Sequence, residues 1–460
     1  MTRFFSLTVL PLLLASVAVL AQSDARLSDH LTQDRSVQDL AAQNMPAQNG
    51  AAPLVLTFAD ALERARRNEP QFIAAKTDFA LAHQDKVQAR AGLLPSVNYN
   101  TQYLYTQGNR TLTGVFVANN AVHEYMSQGN AHESLNLAGG EIYDLRRAQA
   151  AEAAARARLE IASRGLEVTV AQAYFGLAVA QRKYATAQAA LAESQRFLKI
   201  SQELERGGEV AHSDVIKAQL QFNDRERALQ EAQLAMENAR LGLAVLLFPN
   251  FEQNFTIADE LELPPDLPAF PEVQKLAATN NPELAAASAT LVAANDEVGA
   301  ARSGHFPTLS FDYWYGIDAS HFAVRNPDRT QNLGYAAAAT LNIPIWSWGA
   351  TQSKVKQAEL RRDQSRVELS FTQRQLAANL QSFYHEAATS KAQLALLQQS
   401  FDLASESLRL TTLRYQAGEA TVLEVVDAQN TLAQAHDAYN DAQARYRVAV
   451  AELQTLTGAF

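Results

Sequence analysis

The 460-residue chain contains no cysteine. It therefore forms no disulfide bond, has no thiolate metal site and cannot carry a lipid on an N-terminal cysteine. Charged residues make up only 19% of the chain, below the usual share of about a quarter. The formal net charge is −10, so no excess of basic residues indicates a nucleic-acid partner.

Long apolar runs are confined to the N-terminus. Residues 4–20 are almost wholly apolar, follow Arg3 and end near Val19-Leu20-Ala21, which offers small or β-branched residues for cleavage. We expect a secretory signal peptide at residues 1–21 and a polar lead-in at 22–53. The alternative for the first segment is a retained membrane anchor. Further along, no uninterrupted run approaches the roughly 20 apolar residues of a spanning helix.

The sequence repeats itself at a long offset. An Asn-x-Pro motif at residues 68–70 returns at 280–282, which is 212 residues later (282 − 70). A Gly-Glu pair at 208–209 returns at 418–419, which is 210 residues later (418 − 208). This period exceeds the roughly 20–50 residues of solenoid repeats. We therefore expect two copies of one large unit, at residues 54–248 and 272–460, joined by a proline-containing linker at 249–271.

Each half carries two long helical patterns. Apolar residues recur every 3.5 positions over 166–198 and 215–246, and again over 376–408 and 425–456, a spacing typical of coiled-coil packing. A short glycine turn between two such helices makes them antiparallel neighbours. We expect one helix to run from Ala350 to about Tyr415. The abundant alanines favour close approach of helices in a tubular array, and the alternative is an ordinary coiled-coil spacer.

Two strand pairs separate the helical patterns. Apolar and polar residues alternate over 97–105 and 309–317, after Pro95 and Pro307. Second strands are expected at 333–343 and, more weakly, at 133–137, with polar loops near 106–126 and 318–331 between the strands of each pair. Strands of about ten residues match the thickness of an outer membrane. The alternative is a soluble sheet with one half-buried face.

A membrane-spanning sheet must close into a barrel, because lipid cannot satisfy the hydrogen bonds of an open edge. Four strands are too few, since the smallest membrane barrels have about eight. Several copies of the chain are therefore expected to share one barrel.

The most specific local pattern surrounds the second Gly-Glu turn. It consists of Arg414-Tyr415-Gln416-Ala417-Gly418, followed by Thr421, Val425, Asp427-Ala428-Gln429 and Leu432. In this pattern, and in its duplication and strand hairpins, the chain from Leu54 onward resembles the TolC-like outer membrane efflux proteins, the outer membrane factors.

This resemblance implies a mainly α fold with a membrane β-barrel. Long coiled-coil hairpins would form an α-barrel, and four strands per chain would contribute to a 12-stranded barrel shared by a homotrimer. It also implies a passive channel-tunnel of a tripartite efflux or type I secretion system, in the outer membrane of a Gram-negative bacterium and extending into the periplasm. The implied partners are a periplasmic adaptor, an inner-membrane transporter and outer membrane lipid. The linker at 249–271 would lie at the equator of the tunnel.

The resemblance places the two glycine turns at the periplasmic tips, where the tunnel narrows and meets the adaptor. The residues expected to contact the adaptor are Gly208, Glu209, Val210, Gly418, Glu419, Ala420 and Thr421. The residues expected to form the constriction and gate are Glu424, Asp427, Asp214, Ser213 and Tyr415.

Two acidic residues of the second tip are candidates for a charged ring. Glu424 and Asp427 are three residues apart and so share one helix face. In a trimer they would place six carboxylates around one opening, which favours cations. Glu424 has an alternative role, because Thr421 and Glu424 also have the spacing of a helix capping box. Asp427 lies deeper in the helix and has no such alternative.

Ser213 and Asp214 correspond to closing contacts of the family. We expect the Tyr415 hydroxyl to bond to Asp214 across neighbouring hairpins in the closed state. Ala420 stands where some members have a gating arginine, so that charged latch is absent.

Enzymatic function is not indicated. The sequence has no His-x-x-x-His pair, no Gly-x-Ser-x-Gly elbow and no phosphate loop, so we expect no catalytic residue, metal or cofactor. The remaining alternative is a periplasmic adaptor (membrane fusion) protein, which also carries coiled-coil hairpins. An adaptor would have one hairpin within a β-rich domain, whereas this sequence predicts two hairpins.

Overall fold

The computed structural model describes residues 54–107, 122–250, 254–261, 266–326 and 328–458. The expected signal peptide and the polar lead-in lie outside these ranges, as do the middle of the first strand-connecting loop and parts of the linker. Nearly all described residues belong to one unit, residues 55–460.

The two halves contain the same elements in the same order. In the first half these are β1 (Leu54–Leu56), α1 (Phe58–Asn68), α2 (Pro70–Ala91), β2 (Ser96–Tyr105), β3 (His123–Asn136), α3 (Gly140–Gly207) and α4 (His212–Leu247). In the second half they are β4 (Phe255–Ile257), α5 (Phe270–Asn280), α6 (Pro282–Ser303), β5 (Thr308–Ala319), β6 (Leu333–Asn342), α7 (Ala350–Gln416) and α8 (Val422–Thr457). The expected duplication is confirmed.

Equivalent helices have nearly equal lengths. α1 and α5 have 11 residues, α2 and α6 have 22, and α4 and α8 have 36. The longest pair, α3 and α7, have 68 and 67 residues. At about 1.5 Å per residue each of these spans roughly 100 Å. The helix expected from Ala350 to about Tyr415 is thus present over Ala350–Gln416.

Local sequence signals explain where α2 and α6 begin. Each has a proline at its first position, where the missing N–H is not needed. The residue before each proline caps the helix: the Glu69 carboxylate accepts from the Phe72 N–H at 2.6 Å, and the Asn281 side-chain oxygen from the Leu284 N–H at 2.8 Å. The Asn-x-Pro repeat is therefore a repeated helix start.

The helices lie side by side in two rows, and the long helices α3 and α7 belong to both rows. Near the strands, the order of neighbouring helices is α2, α3, α6, α7; toward the two glycine turns it is α4, α3, α8, α7. Each row therefore has two inner and two outer helices.

Exposure of apolar side chains distinguishes the inner from the outer helices. Within the described residues, the large exposed apolar side chains of the inner helices α3, α6 and α8 are Ile142, Val292 and Leu423, one on each. Those of the outer helices are Ile73, Leu81 and Val87 on α2; Ile216, Leu220, Leu234, Leu241 and Val245 on α4; and Leu360, Val367, Phe371, Leu396, Leu403, Leu410 and Leu413 on α7. The two sides of the row thus present apolar surface that the chain itself does not cover.

Four of the strands form one antiparallel sheet in the order β2-β3-β5-β6. Tyr103 lies opposite Tyr125, and Tyr315 opposite Tyr335. The strand expected at 133–137 is wrong in extent, because β3 begins at His123. β3 pairs with β2 and β5 through backbone hydrogen bonds, which form whether or not the side chains alternate. The edge strands β2 and β6 are almost wholly exposed.

A buried cluster lies where β1 pairs with β4, between the two rows. The Tyr174 hydroxyl lies 3.1 Å from the Leu56 carbonyl and 2.7 Å from the Ala258 carbonyl. Burial raises the pKa of this hydroxyl, which therefore remains a donor. The bond ties the linker to α3. Among the described residues, no helix combines the length and apolarity required to cross a bilayer.

Candidate functional site

The two glycine turns have the same backbone geometry. Gly208 and Gly418 have φ values of 78° and 75°, which other residues adopt only with strain. The Glu209 N–H donates to the Leu204 carbonyl at 2.9 Å, and the Glu419 N–H to the Arg414 carbonyl at 2.8 Å. In each turn the donor lies five positions after the acceptor, which is the hydrogen bond that defines a Schellman cap. The pairs are related by the same 210-residue offset found in the sequence.

The residues expected to contact an adaptor lie at the surface of these turns. The exposed ones are Gly208, Glu209, Gly418, Glu419 and Thr421. Val210 and Ala420 are half-buried and pack on an apolar cluster beneath the turns. The turns therefore offer a polar outer surface on an apolar support.

We call the cluster beneath both turns the tip core. Its buried members are Phe197, Leu198, Ala218, Tyr415, Val422 and Val425. Three come from α3 and α4, and three from α7 and α8. The two hairpins of one chain are therefore joined at their tips by apolar packing.

Tyr415 is the polar centre of the tip core. Its side chain is only 3% exposed, and its ring lies 5.0 Å from the ring of Phe197. Its hydroxyl shares a 3.1 Å hydrogen bond with Ser201 Oγ, which is fully buried. Burial raises the pKa of Tyr415, and the nearby Asp214 charge adds to this shift.

In this structure Tyr415 and Asp214 do not share a hydrogen bond, and the bond expected across neighbouring hairpins in the closed state stays a prediction. The Asp214 carboxylate instead accepts from the Lys217 ammonium at 3.2 Å, one turn along α4. Tyr415 points into the tip core toward α3, whereas Asp214 lies in the half-exposed first turn of α4. Ser213 is exposed beside it. Asp214 thus acts on Tyr415 through its charge and not through a hydrogen bond.

Glu424 closes a helix capping box. Its carboxylate accepts from the Thr421 N–H at 3.2 Å and the Thr421 hydroxyl at 3.1 Å, and the Thr421 hydroxyl accepts from the Glu424 N–H. Arg414 lies 3.6 Å away. The hydrogen bonds from Thr421 lower the pKa of Glu424. The capping interpretation of Glu424 is therefore confirmed.

Asp427 has no comparable local role. Its side chain is exposed, and among the described residues its carboxylate has no hydrogen-bond or ion-pair partner. It lies on α8, one turn beyond Glu424. Its place in a charged ring remains a prediction.

Sequence reasoning missed Ser201 and Phe197. One further step of the 3.5-residue repeat beyond Leu198 falls on Ser201, so a polar residue interrupts an apolar seam there. A hydroxyl at such a position requires a buried partner, and this was the available signal. Elsewhere in the described ranges, no group of three or more histidine, aspartate or glutamate residues could hold a metal ion.

The sequence model of one family, described as outer membrane efflux protein, matches the chain twice, at residues 61–247 and 273–459. The chain belongs to the outer membrane efflux protein family. The resemblance noted in the sequence is thereby confirmed, and the efflux protein family's duplicated organisation agrees with the two halves of the fold.

Individual relatives cover most of the chain. Outer membrane protein TolC of Vibrio cholerae is 25% identical over 87% of this chain and 90% of its own length. The alkaline protease secretion protein AprF of Pseudomonas aeruginosa is 25% identical over 88% of this chain and 84% of its own length. The solved open state of the Neisseria gonorrhoeae MtrE outer membrane channel has a TM-score of 0.75 at 20% identity, covering 87% of this chain and 89% of MtrE.

As a member of this family, the protein is an outer membrane channel for efflux or secretion that extends into the periplasm. Its relatives are transport channels rather than enzymes. The adaptor alternative is not favoured.

Proposed function

We propose that three copies of the chain form one continuous conduit, with a shared 12-stranded barrel and a helical tunnel. The observation that carries this proposal is the unsatisfied surface on both sides of the chain. The outer helices α4 and α7 expose rows of apolar side chains, and the edge strands β2 and β6 have open hydrogen-bonding edges. Packing α7 of one copy against α4 of the next, and β6 against β2, covers both.

The outward faces of the strands support contact with outer membrane lipid. Exposed aromatic side chains lie on β2 and β5, including Tyr99, Tyr103 and Tyr313. Trp346 and Trp348, just after the sheet, are 74% and 89% exposed. Tryptophan is enriched where a bilayer meets water, so this pair would mark the periplasmic side of the membrane.

We also propose the division of the chain into repeats at 54–248 and 272–460, with an equatorial linker at 249–271. The repeated element order supports two halves, with β4, the counterpart of β1, lying inside the linker segment. The 1–21 signal peptide belongs to the same proposal.

In this proposal the tips receive the periplasmic adaptor and, through it, an inner-membrane transporter. The exposed surface of both glycine turns supports this. Asp427 supplies three carboxylates near the opening, with Glu424 held back in its capping box. Relatives are named for protease secretion and for cobalt-zinc-cadmium resistance, which supports choice of cargo by the inner-membrane partner.

Two measurements test the conduit. Native mass spectrometry of the detergent-purified protein should give the mass of three chains, and planar bilayers should show cation-selective single channels. A monodisperse monomer, or a trimer without conductance under any applied voltage, contradicts the proposal.

A further inference from the structure

A cavity lies between the two helical hairpins of one chain. Its volume is about 290 Å³, and its lining comes from α3, α4, α7 and α8. The lining residues on α8 run from Gln429 to His436, farther from the glycine turn than the tip core residues Val422 and Val425. A cavity of this volume is at the lower end of the range of ligand pockets. It therefore has room for a small ligand.

The buried amide of Gln429 lines this cavity without a partner. The residue is 7% exposed, and among the described residues neither its side-chain oxygen nor its side-chain nitrogen has a hydrogen-bond partner. A buried polar group in this state costs free energy. The amide oxygen can accept hydrogen bonds and the amide nitrogen can donate two. A ligand that satisfies both must present a donor and an acceptor side by side, as a carboxamide group does.

The equivalent glutamine of the first hairpin does have a partner. With the 210-residue offset (429 − 219), Gln429 corresponds to Gln219, which is exposed on α4. The Gln219 side-chain nitrogen donates to the Asn223 side-chain oxygen at 3.0 Å. Asn223 corresponds to Ala433 (433 − 223 = 210), which lines the cavity. The second hairpin thus has an alanine where the local partner of the glutamine would stand, and the smaller side chain leaves space beside Gln429.

Another part of the lining is aromatic and apolar. Phe401 of α7 and His436 of α8 lie edge to face, with ring centroids 5.0 Å apart. Both line the cavity, together with Leu408 and Leu432. A flat ring gains free energy when it is buried against such side chains. The lining therefore combines an amide that needs partners with a surface that accepts an aromatic ring.

The charged residues of the lining disfavour a cationic ligand. Glu193 and Arg196 both line the cavity and pair with each other at 2.5 Å. Arg225 also lines it and donates to the neutral side chain of Asn430 at 2.5 Å. Its positive charge would repel a second cation in the same cavity. A ligand without positive charge therefore fits better.

We propose that this cavity binds a small, uncharged aromatic carboxamide, whose amide group bonds to Gln429 and whose ring packs against Phe401. The site goes beyond the proposed function, and it does not require the trimer because its lining belongs to one chain. A bound ligand contacts α3, α7 and α8 together. Binding therefore stabilises the packing of the two hairpins and raises the melting temperature.

Binding is measured with para-fluorobenzamide, added to the detergent-purified full-length protein and followed by fluorine NMR. We expect saturable binding with a dissociation constant that is roughly millimolar. The methyl ester of para-fluorobenzoic acid has the same ring and a carbonyl oxygen but no N–H donor, and para-fluorobenzylamine carries a positive charge. Both should bind at least about tenfold more weakly than the amide.

Three variants test the role of Gln429. Gln429→Leu keeps a similar side-chain volume but removes the amide, and should weaken binding at least about tenfold. Ala433→Asn gives Gln429 the partner that Gln219 has in the first hairpin and fills part of the cavity, so it should weaken binding as well. Gln219→Leu is the matched control and should leave binding unchanged. Circular dichroism shows that each variant is folded.

Several outcomes would overturn the proposal. Without saturation below about 10 mM, the cavity holds water alone. Equal affinity for the amide and the ester would show that only the ring is recognised. Equal losses in Gln429→Leu and Gln219→Leu would place the binding elsewhere. The conduit is tested separately by mass and conductance, so it stands even if the amide does not bind.

Discussion

The hydroxyl of Tyr415 and the hydroxyl of Ser201 share a 3.1 Å hydrogen bond in the apolar junction between the two hairpin tips. The two residues are 214 positions apart in the chain. The bond therefore joins the second half of the duplicated fold to the first. It also satisfies two buried hydroxyl groups that water does not reach.

Loss of this bond should weaken the tip. We expect Tyr415→Phe and Ser201→Ala each to destabilise the protein by about 1–3 kcal/mol, because each leaves the other hydroxyl buried without a partner. The double variant should cost less than the sum of the two. Thermal unfolding followed by circular dichroism measures this cycle. Additive effects would show that the two hydroxyls act independently.

A matched substitution controls for the loss of a hydroxyl as such. Tyr439→Phe removes a hydroxyl whose partner, Gln443, lies one turn away on the same helix. It should leave the junction intact, and single-channel conductance should rise in Tyr415→Phe but not in Tyr439→Phe.

The capping box of α8 should slow hydrogen exchange of the amides in the first turn of this helix. Thr421→Ala removes the cap, at a cost of about 1 kcal/mol, and should speed hydrogen exchange of the first-turn amides. The reverse change is available in the other tip. There Ala211 is the cap residue without a side-chain bond, and Asp214 occupies the third helical position. Ala211→Thr completes the same pattern and should slow exchange in α4.

The contribution of Glu424 has a definite pH dependence. Its pKa is lowered in the folded chain by the bonds from Thr421, so its contribution is present above the ordinary carboxyl pKa. It is lost as the pH falls through the lowered folded value. The protection factors of the amides at the start of α8, which correct for the slower intrinsic exchange in acid, should therefore fall at acid pH in the wild type. If Glu424→Gln showed the same acid dependence, another group would be responsible.

Asp427 should control ion selectivity more than Glu424 does. We expect Asp427→Asn to shift the reversal potential in a salt gradient toward that of an unselective channel, since the proposed trimer would lose three exposed charges near its opening. Glu424→Gln should have a smaller effect because its charge is held in the capping box. Asp224→Asn, an exposed acid on α4, is the control. An equal shift in the control would place the selective charges elsewhere.

His436 predicts a second pH effect, between the two hairpins. Its Nδ1 lies 2.8 Å from the Thr186 hydroxyl, and burial lowers its pKa against the opposing charge of Asp437. The unfolded chain therefore binds the proton more readily, so stability is complete above the ordinary histidine pKa and falls as the pH drops below it. His436→Asn keeps a polar partner for Thr186. It should flatten the dependence of the melting temperature between about pH 7 and pH 5, and an unchanged slope would exclude His436 as the source.

The repeat in the sequence predicts the boundaries of the helices well, because each boundary has a local cause. Pro70 and Pro282 begin helices at the positions where a proline is tolerated, and Gly208 and Gly418 end them with left-handed backbones. The sequence predicts β3 poorly, because its polar and apolar residues do not alternate regularly and its extent is set by backbone pairing with β2 and β5.

The hydrogen-bond partner of Tyr415 could not be predicted from the sequence. Asp214 and Ser201 are both polar and both near the tip, and only the packing of α7 on α3 decides between them. That packing depends on the rotation of two coiled coils about their axes, which apolar spacing predicts to within one face but not to within one side chain.

The equal lengths of α4 and α8 have a consequence for how such chains change length over evolution. Both return arms have 36 residues, so the two turns lie at the same level. Removing one heptad from each arm of a single hairpin keeps its packing phase but retracts that turn by about 10 Å. The tip of the hairpin that kept its length would then no longer pack against the other hairpin in the tip core. Insertions and deletions in these arms should therefore come in whole heptads, and in both halves of the gene together.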